Sequence, residues 1–163
     1  IGFEALKEAV KNPLNKLTVA EHYGCHVLRP SRYNKFDDPE DPKVLKRLIE
    51  ITGAKCVDYV DEKECCGFPI AGIDEQIVMG LVQEKLGHVK EAGAEALITI
   101  CPSCFLAYDV NQSRIRRVTG IEYNIPVLHY SELLALSMGI KPEELLFDEH
   151  RVKPSQLISK IQS

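Results

Sequence analysis

Apolar positions along the chain change their period several times, and most changes fall at clusters of Gly, Pro, Asn or Asp. Phe3, Leu6 and Val10 recur at helical spacing through residues 2–12, until Asn12-Pro13 stops the pattern. Leu17 and Val19 then alternate with polar neighbours, so residues 17–22 read as a strand running into Tyr23-Gly24. Residues 29–42 turn to Pro, Arg, Asn and Asp and predict a long surface loop. Asp41 in a capping position and Pro42 at a first helical position introduce a helix striped by Val44, Leu45, Leu48, Ile49 and Ile51, closed at Gly53.

A second strand is predicted over residues 56–60. Ile77, Leu81, Val82, Leu86 and Val89 then mark the longest helix, over residues 73–92, closed by Gly93. Residues 96–100 form a compact apolar strand. Pro102 opens a helix carrying Leu106, Val110, Ile115 and Val118 as far as Gly120, weakened in its middle by Asn111-Gln112-Ser113. Pro126-Val127-Leu128 is a fourth strand, and Ser131 is placed to cap a short helix ended by Gly139. Lys141-Pro142-Glu143-Glu144 starts a last polar helical piece.

Strand and helix alternate, which predicts an α/β fold: a mostly parallel sheet of about four strands with helices on both faces. Residues 1–150 read as one domain, and residues 151–163 as a polar tail, solvated or docked elsewhere. In such sheets the carboxyl ends of the strands share one edge, and the loops leaving them form the ligand crevice. Cys25, Cys65, Cys66, Cys101 and His129 all follow predicted strand ends, so topology alone draws them to that edge.

Composition narrows the function. With 163 residues, 45% of them hydrophobic, the chain can build a core without disulfide staples. A formal charge of −4, with acids and bases mixed throughout, leaves no footprint for nucleic acid. No apolar run reaches the roughly eighteen residues of a membrane span, and the opening residues Ile1-Gly2-Phe3-Glu4-Ala5 lack signal-peptide organisation. A reducing, cytoplasmic setting is expected. The chain begins with Ile rather than Met, which raises the expectation of a piece of a longer polypeptide.

Five of the six cysteines fall in three packets: Cys25, then Cys65-Cys66-Gly67-Phe68-Pro69, then Cys101-Pro102-Ser103-Cys104. Thiolates bind soft and borderline metals, so packets that meet in space read as a metal site. A redox dithiol at Cys101 and Cys104 would leave the other three without a role. A structural zinc site, in a non-catalytic module, takes four ligands. Adjacent Cys65 and Cys66 tend to direct their side chains apart, which suits separate irons of a cluster better than one ion. Gly67 lets the backbone approach inorganic sulfur and offers its N–H.

In order and interval these packets resemble the cysteine-rich CCG domain found in the B subunit of heterodisulfide reductase. The surrounding His22-Tyr23-Gly24-Cys25-His26 and Leu28-Arg29-Pro30 are similar to the carboxy-terminal copy of that domain. The resemblance runs over residues 18–130. It implies a non-cubane [4Fe-4S] cluster held by Cys25, Cys65, Cys66, Cys101 and Cys104, in an oxidoreductase that reduces the mixed disulfide of coenzyme M and coenzyme B. The implied partners are an iron–sulfur electron donor resembling the C subunit of the same enzyme, a flavin subunit, and a second CCG domain, since the family's proteins hold two and this chain one. Related CCG proteins serve 2-hydroxyacid oxidation and thiol:fumarate reductase, and are the alternative reading.

Beside the five thiols, His26 joins Cys65 and Cys66 as a candidate catalytic group, placed to hydrogen-bond a sulfur or protonate a thiolate. A solvent-facing or satisfied loop histidine is the plainer reading of His22. His129 follows a strand at the same edge, whereas His88 and His150 read as surface groups. Arg29 and Arg32 match anionic substrates or simply solvate their loop. The run from Arg114 to Arg117 reads as a solvated face or partner contact, and Cys56, inside a strand, as core.

Overall fold

The computed structural model describes residues 2–163. Four strands, β1 (Thr18–His22), β2 (Lys55–Val57), β3 (Ala96–Thr99) and β4 (Val127–His129), pair in the order β2-β1-β3-β4, every pair parallel. The fold is therefore α/β, as the alternation predicts. The central strands are sealed on both sides: β3 is buried from end to end, the environment its unbroken apolar run is suited to.

Among the described residues eight α-helices accompany the sheet: α1 (Phe3–Ala9), α2 (Cys25–Leu28), α3 (Ser31–Asn34), α4 (Val44–Ile51), α5 (Glu75–Glu91), α6 (Pro102–Thr119), α7 (Tyr130–Ser137) and α8 (Ser155–Gln162). Successive strand residues point to opposite faces, which divides the core in two. Val19, Ile98 and Leu128 pack with Leu45 and Ile49 of α4, Leu133 and Leu136 of α7, and Leu157 of α8. Ala20, Leu97 and Val127 pack on the other face with Val78, Val82, Leu86 and Val89 of α5 and with Ala107, Tyr108 and Ile115 of α6. Full burial of a Leu, Ile or Val side chain contributes about 1.5–3 kcal/mol. The two cores carry the fold, leaving the thiols free for chemistry.

Several local expectations are corrected. The loop at residues 29–42 contains α3, and α4 begins at Val44, not beside Asp41 and Pro42. Its first turn is capped from a distance by Asp37, whose Oδ2 accepts from the N–H groups of Lys43 at 2.7 Å and Val44 at 2.6 Å. Helix α7 is capped by His129 rather than Ser131: the N–H of Ser131 donates to His129 Nδ1, and the N–H of His129 to Glu132. On α5 the buried stripe includes Val78 and leaves Ile77 exposed, and on α6 Leu106 and Val118 face solvent. The stretch read as a polar tail carries α8, which places Leu157 in the core.

Candidate metal centre

The centre lies where β1 and β3 run side by side and their connections leave for opposite faces, α4 on one and α5 and α6 on the other. Such a switch point opens a crevice beyond the carboxyl ends of the strands. Cys25 leaves β1 and Cys101 leaves β3, while the loop after β2 brings Cys65 and Cys66 across.

Each approach has a local cause. Tyr23 anchors the turn before Cys25: its hydroxyl donates to Asp37 at 2.7 Å and accepts from the N–H of Leu45 at 2.6 Å. Gly24 follows at φ +77°, and a Cβ there would stand 2.9 Å from Cβ of Cys101 and 3.2 Å from Sγ of Cys104. Only glycine lets these two loops come so close. Cys101 occupies the cap position of α6 with Pro102 behind it, and Cys104 lies one turn on, buried. Gly67, at φ +74°, presses the vicinal-cysteine loop against α5, where a Cβ would meet Leu81 at 2.9 Å.

The vicinal thiols do point apart. Sγ of Cys65 lies 3.8 Å from Sγ of Cys25 on the open side, while Cys104 donates to Sγ of Cys66 at 3.4 Å in the interior. Sulfurs about 2.3 Å from a shared tetrahedral metal stand about 3.8 Å apart. Four of the five thiols therefore make two ligand-like edges, and Cys101 stands with Cys104 against Gly24. The N–H of Gly67 donates to Sγ of Cys65 at 3.4 Å. No disulfide joins any of the six cysteines. A soft, anionic donor set of this size fits a polynuclear iron–sulfur group.

The hydrogen bond from Cys104 pulls the Cys66 thiol down, against the effect of burial and with help from His22. The same contact, together with burial, pushes the Cys104 thiol up. Burial, then the neighbouring Cys65, raises Cys25.

His22 is corrected from a loop group to a buried one, 1% exposed at the end of β1. Its ligand nitrogen and the sulfurs of Cys66 and Cys104 all lie within 4.8 Å of one another. Neither ring nitrogen meets hydrogen-bond geometry with any described residue, burial lowers its pKa, and its ring stacks edge-on against Tyr108 at 4.9 Å. The available signal was its position: a polar residue ending a strand buried on both sides, three before Cys25.

Other candidates separate. His26 is exposed on α2 at the rim, where its carbonyl accepts from Asn34. His129 caps α7. His150 is corrected from surface to interior: it is 7% exposed and pairs with Glu132 at 3.0 Å, while His88 pairs with Asp61 at 3.1 Å. Arg29 donates to the carbonyl of Pro39, and Arg32 stacks over Tyr33. Arg114 and Arg116 pair with Glu75 and Glu122. Cys56 lies in the other core, apart from the five, and burial raises its pKa.

Fold and centre together define a class: a parallel α/β domain that gathers thiols from three strand-end loops. Within that class the chain belongs to the cysteine-rich CCG domain family, whose pattern matches residues 19–109. It is 39% identical, over 98% of its length and 54% of the relative's, to the B subunit of a ferredoxin:CoB-CoM heterodisulfide reductase of Methanosarcina mazei. It is 30% identical, over 94% of its length and 54% of the relative's, to the membrane anchor of an 8-methylmenaquinol:fumarate reductase of Wolinella succinogenes. A crystal structure of a hypothetical protein from Helicobacter pylori shares the fold, with a TM-score of 0.68 at 16% identity, over 93% of this chain and 28% of the other. The chain thus spans about half the length of these curated relatives. No helix among the described residues is long and apolar enough to cross a membrane.

Proposed function

We propose that this domain holds a non-cubane [4Fe-4S] cluster through Cys25, Cys65, Cys66, Cys101 and Cys104, and passes electrons to a disulfide as part of a protein like the B subunit of heterodisulfide reductase. The substrate is the mixed disulfide of coenzyme M and coenzyme B, and the setting is cytoplasmic. The observation that carries the reading is the split of the vicinal pair, Cys65 toward Cys25 at 3.8 Å and Cys66 toward Cys104 at 3.4 Å. When bound, the cluster supplies electrons singly, and cleavage takes two electrons and two protons to give two thiols.

The chain's own groups divide the remaining work. Cys66 and Cys104 form the buried anchor, and the low pKa of Cys66 favours the thiolate that binds metal. Cys65 and Cys25 face the open side, where a disulfide can approach, and Gly67 steadies the Cys65 sulfur. His26 at the rim is the proton donor to the departing thiolate. Electrons arrive from an iron–sulfur partner protein, itself supplied by a flavin protein, and a second CCG domain completes the substrate site.

A mononuclear zinc site is the second reading, favoured by the tight trio of His22, Cys66 and Cys104. Anaerobically purified protein is expected to contain iron and acid-labile sulfide and to be brown. Bound zinc with near-zero iron would sink the cluster. Cys65→Ser separates the two: it is expected to lower cluster content at least severalfold, whereas zinc held by the trio would be retained.

A further inference from the structure

Lys85 belongs to neither the thiol set nor the surface. It lies on α5, 1% exposed, and is the only buried lysine or arginine among the described residues. Lysine is almost never fully buried unless it is paired, because removing an ammonium from water is costly. Its pairing here is partial. The ammonium donates to the backbone carbonyl of Asp61 and lies 5.1 Å above the ring of Tyr59. The Asp61 carboxylate stands 3.9 Å away and is shared with His88, 3.1 Å from its other oxygen.

Lys85 also lies on the helix that backs the vicinal thiols. Val78 and Leu81, on the same helix, are the residues that Gly67 presses against, directly after Cys66. One turn beyond Leu81 that face reaches Lys85. Val82 and Leu86 beside it are wholly buried, so little water screens the interval. Cys66 and Cys104 lie in the same core as Val82, Leu86 and Tyr59, whose ring the ammonium faces.

We propose that Lys85 is the counter-cation of the thiolate centre, a positioning charge that favours metal loading and reduction without touching the metal. This rests on the reading of the cysteines as ligands. A divalent ion held by four thiolates makes a complex of charge −2, so a fixed cation nearby favours binding. An added electron increases the negative charge, and the same cation favours reduction. If Lys85 served only Asp61 and His88, neither quantity would follow its charge.

The test compares wild type, Lys85→Met and Asp61→Asn, with circular dichroism as the folding control. Cobalt(II) is titrated anaerobically into metal-free protein and followed by thiolate-to-cobalt absorbance. The midpoint potential of iron- and sulfide-reconstituted protein is measured at pH 6. Lys85→Met is expected to bind cobalt about tenfold more weakly and to have a more negative potential, and Asp61→Asn to shift both the opposite way. Packing damage has no reason to change sign with charge. Unchanged affinity, or shifts of one sign in both variants, would overturn the proposal. Should Lys85→Met not fold, Lys85→Gln takes its place, weaker cobalt binding supporting the proposal and unchanged binding overturning it. If reconstitution yields no iron and sulfide, the cluster reading fails while the cobalt titration still decides the role of Lys85.

Discussion

Glu21 and His22 are neighbours on β1 with opposite faces of the sheet to fill, and both are buried titratable groups. Glu21, 5% exposed, keeps one carboxylate oxygen without a hydrogen-bond partner among the described residues. Burial, then the nearby Glu62, raises its pKa to about 8, with Lys46 opposing. A carboxyl whose folded pKa lies above its unfolded value contributes stability below the unfolded pKa. That contribution is lost as pH rises toward the folded value. The native domain is therefore expected to lose on the order of 3 kcal/mol from this group between pH 5 and pH 8. Glu21→Gln should flatten that slope in urea titrations at the two pH values; an equally steep fall in the variant would refute the assignment. Nothing in the sequence around Glu21 marks it as buried, since the polar half of an alternating strand ordinarily faces water. The same rule hid His22, while His150 was hidden by a polar surrounding sequence.

Helix α6 shows how an element can be found for one reason and packed for another. Its span was legible from Pro102 and Gly120, which bound it in the structure. Its inward face was not, because Asn111 and Gln112 face the interior while Leu106 and Val118 face water. Gln112 repairs the backbone just before β4: its Oε1 accepts from the N–H of Ile125 at 3.1 Å, and its Nε2 donates to the carbonyl of Ile125 at 2.8 Å. Gln112→Leu should cost about 2–4 kcal/mol by leaving both backbone groups buried and unpaired. Denaturant midpoints check this; a change below about 0.5 kcal/mol would mean that water replaces the side chain. Likewise α4 takes its cap from Asp37, which no local pattern near Asp41 could reveal.

Across the molecule, the last residues close the domain. Asp109, 3% exposed on α6, accepts from the N–H groups of Arg151 at 2.8 Å and Val152 at 2.9 Å. Beyond them Leu157 enters the first core, and Lys160 pairs with Glu95 at 2.7 Å. Truncation after His150 should therefore destabilise the fold by about 3–5 kcal/mol, from one buried leucine and one stranded carboxylate. An unchanged unfolding midpoint would show that the segment is only draped on the surface. Because α8 packs away from the strand-end crevice, on the face of α4 and α7, the thiol centre stays open on the side of Cys25 and Cys65.

Hydrophobic period and the spacing of Gly and Pro were enough to specify alternating strands and helices, and alternation implies a parallel sheet whose strand ends share an edge. Three cysteine packets at those ends, and the exclusion of Cys56, follow from the same one-dimensional information. Strand order, the pairing of Cys65 with Cys25 and of Cys66 with Cys104, and the burial of His22, Glu21 and Lys85 required the folded chain. These depend on which faces close on one another and how much water they exclude, and burial of that kind arises between segments distant in sequence.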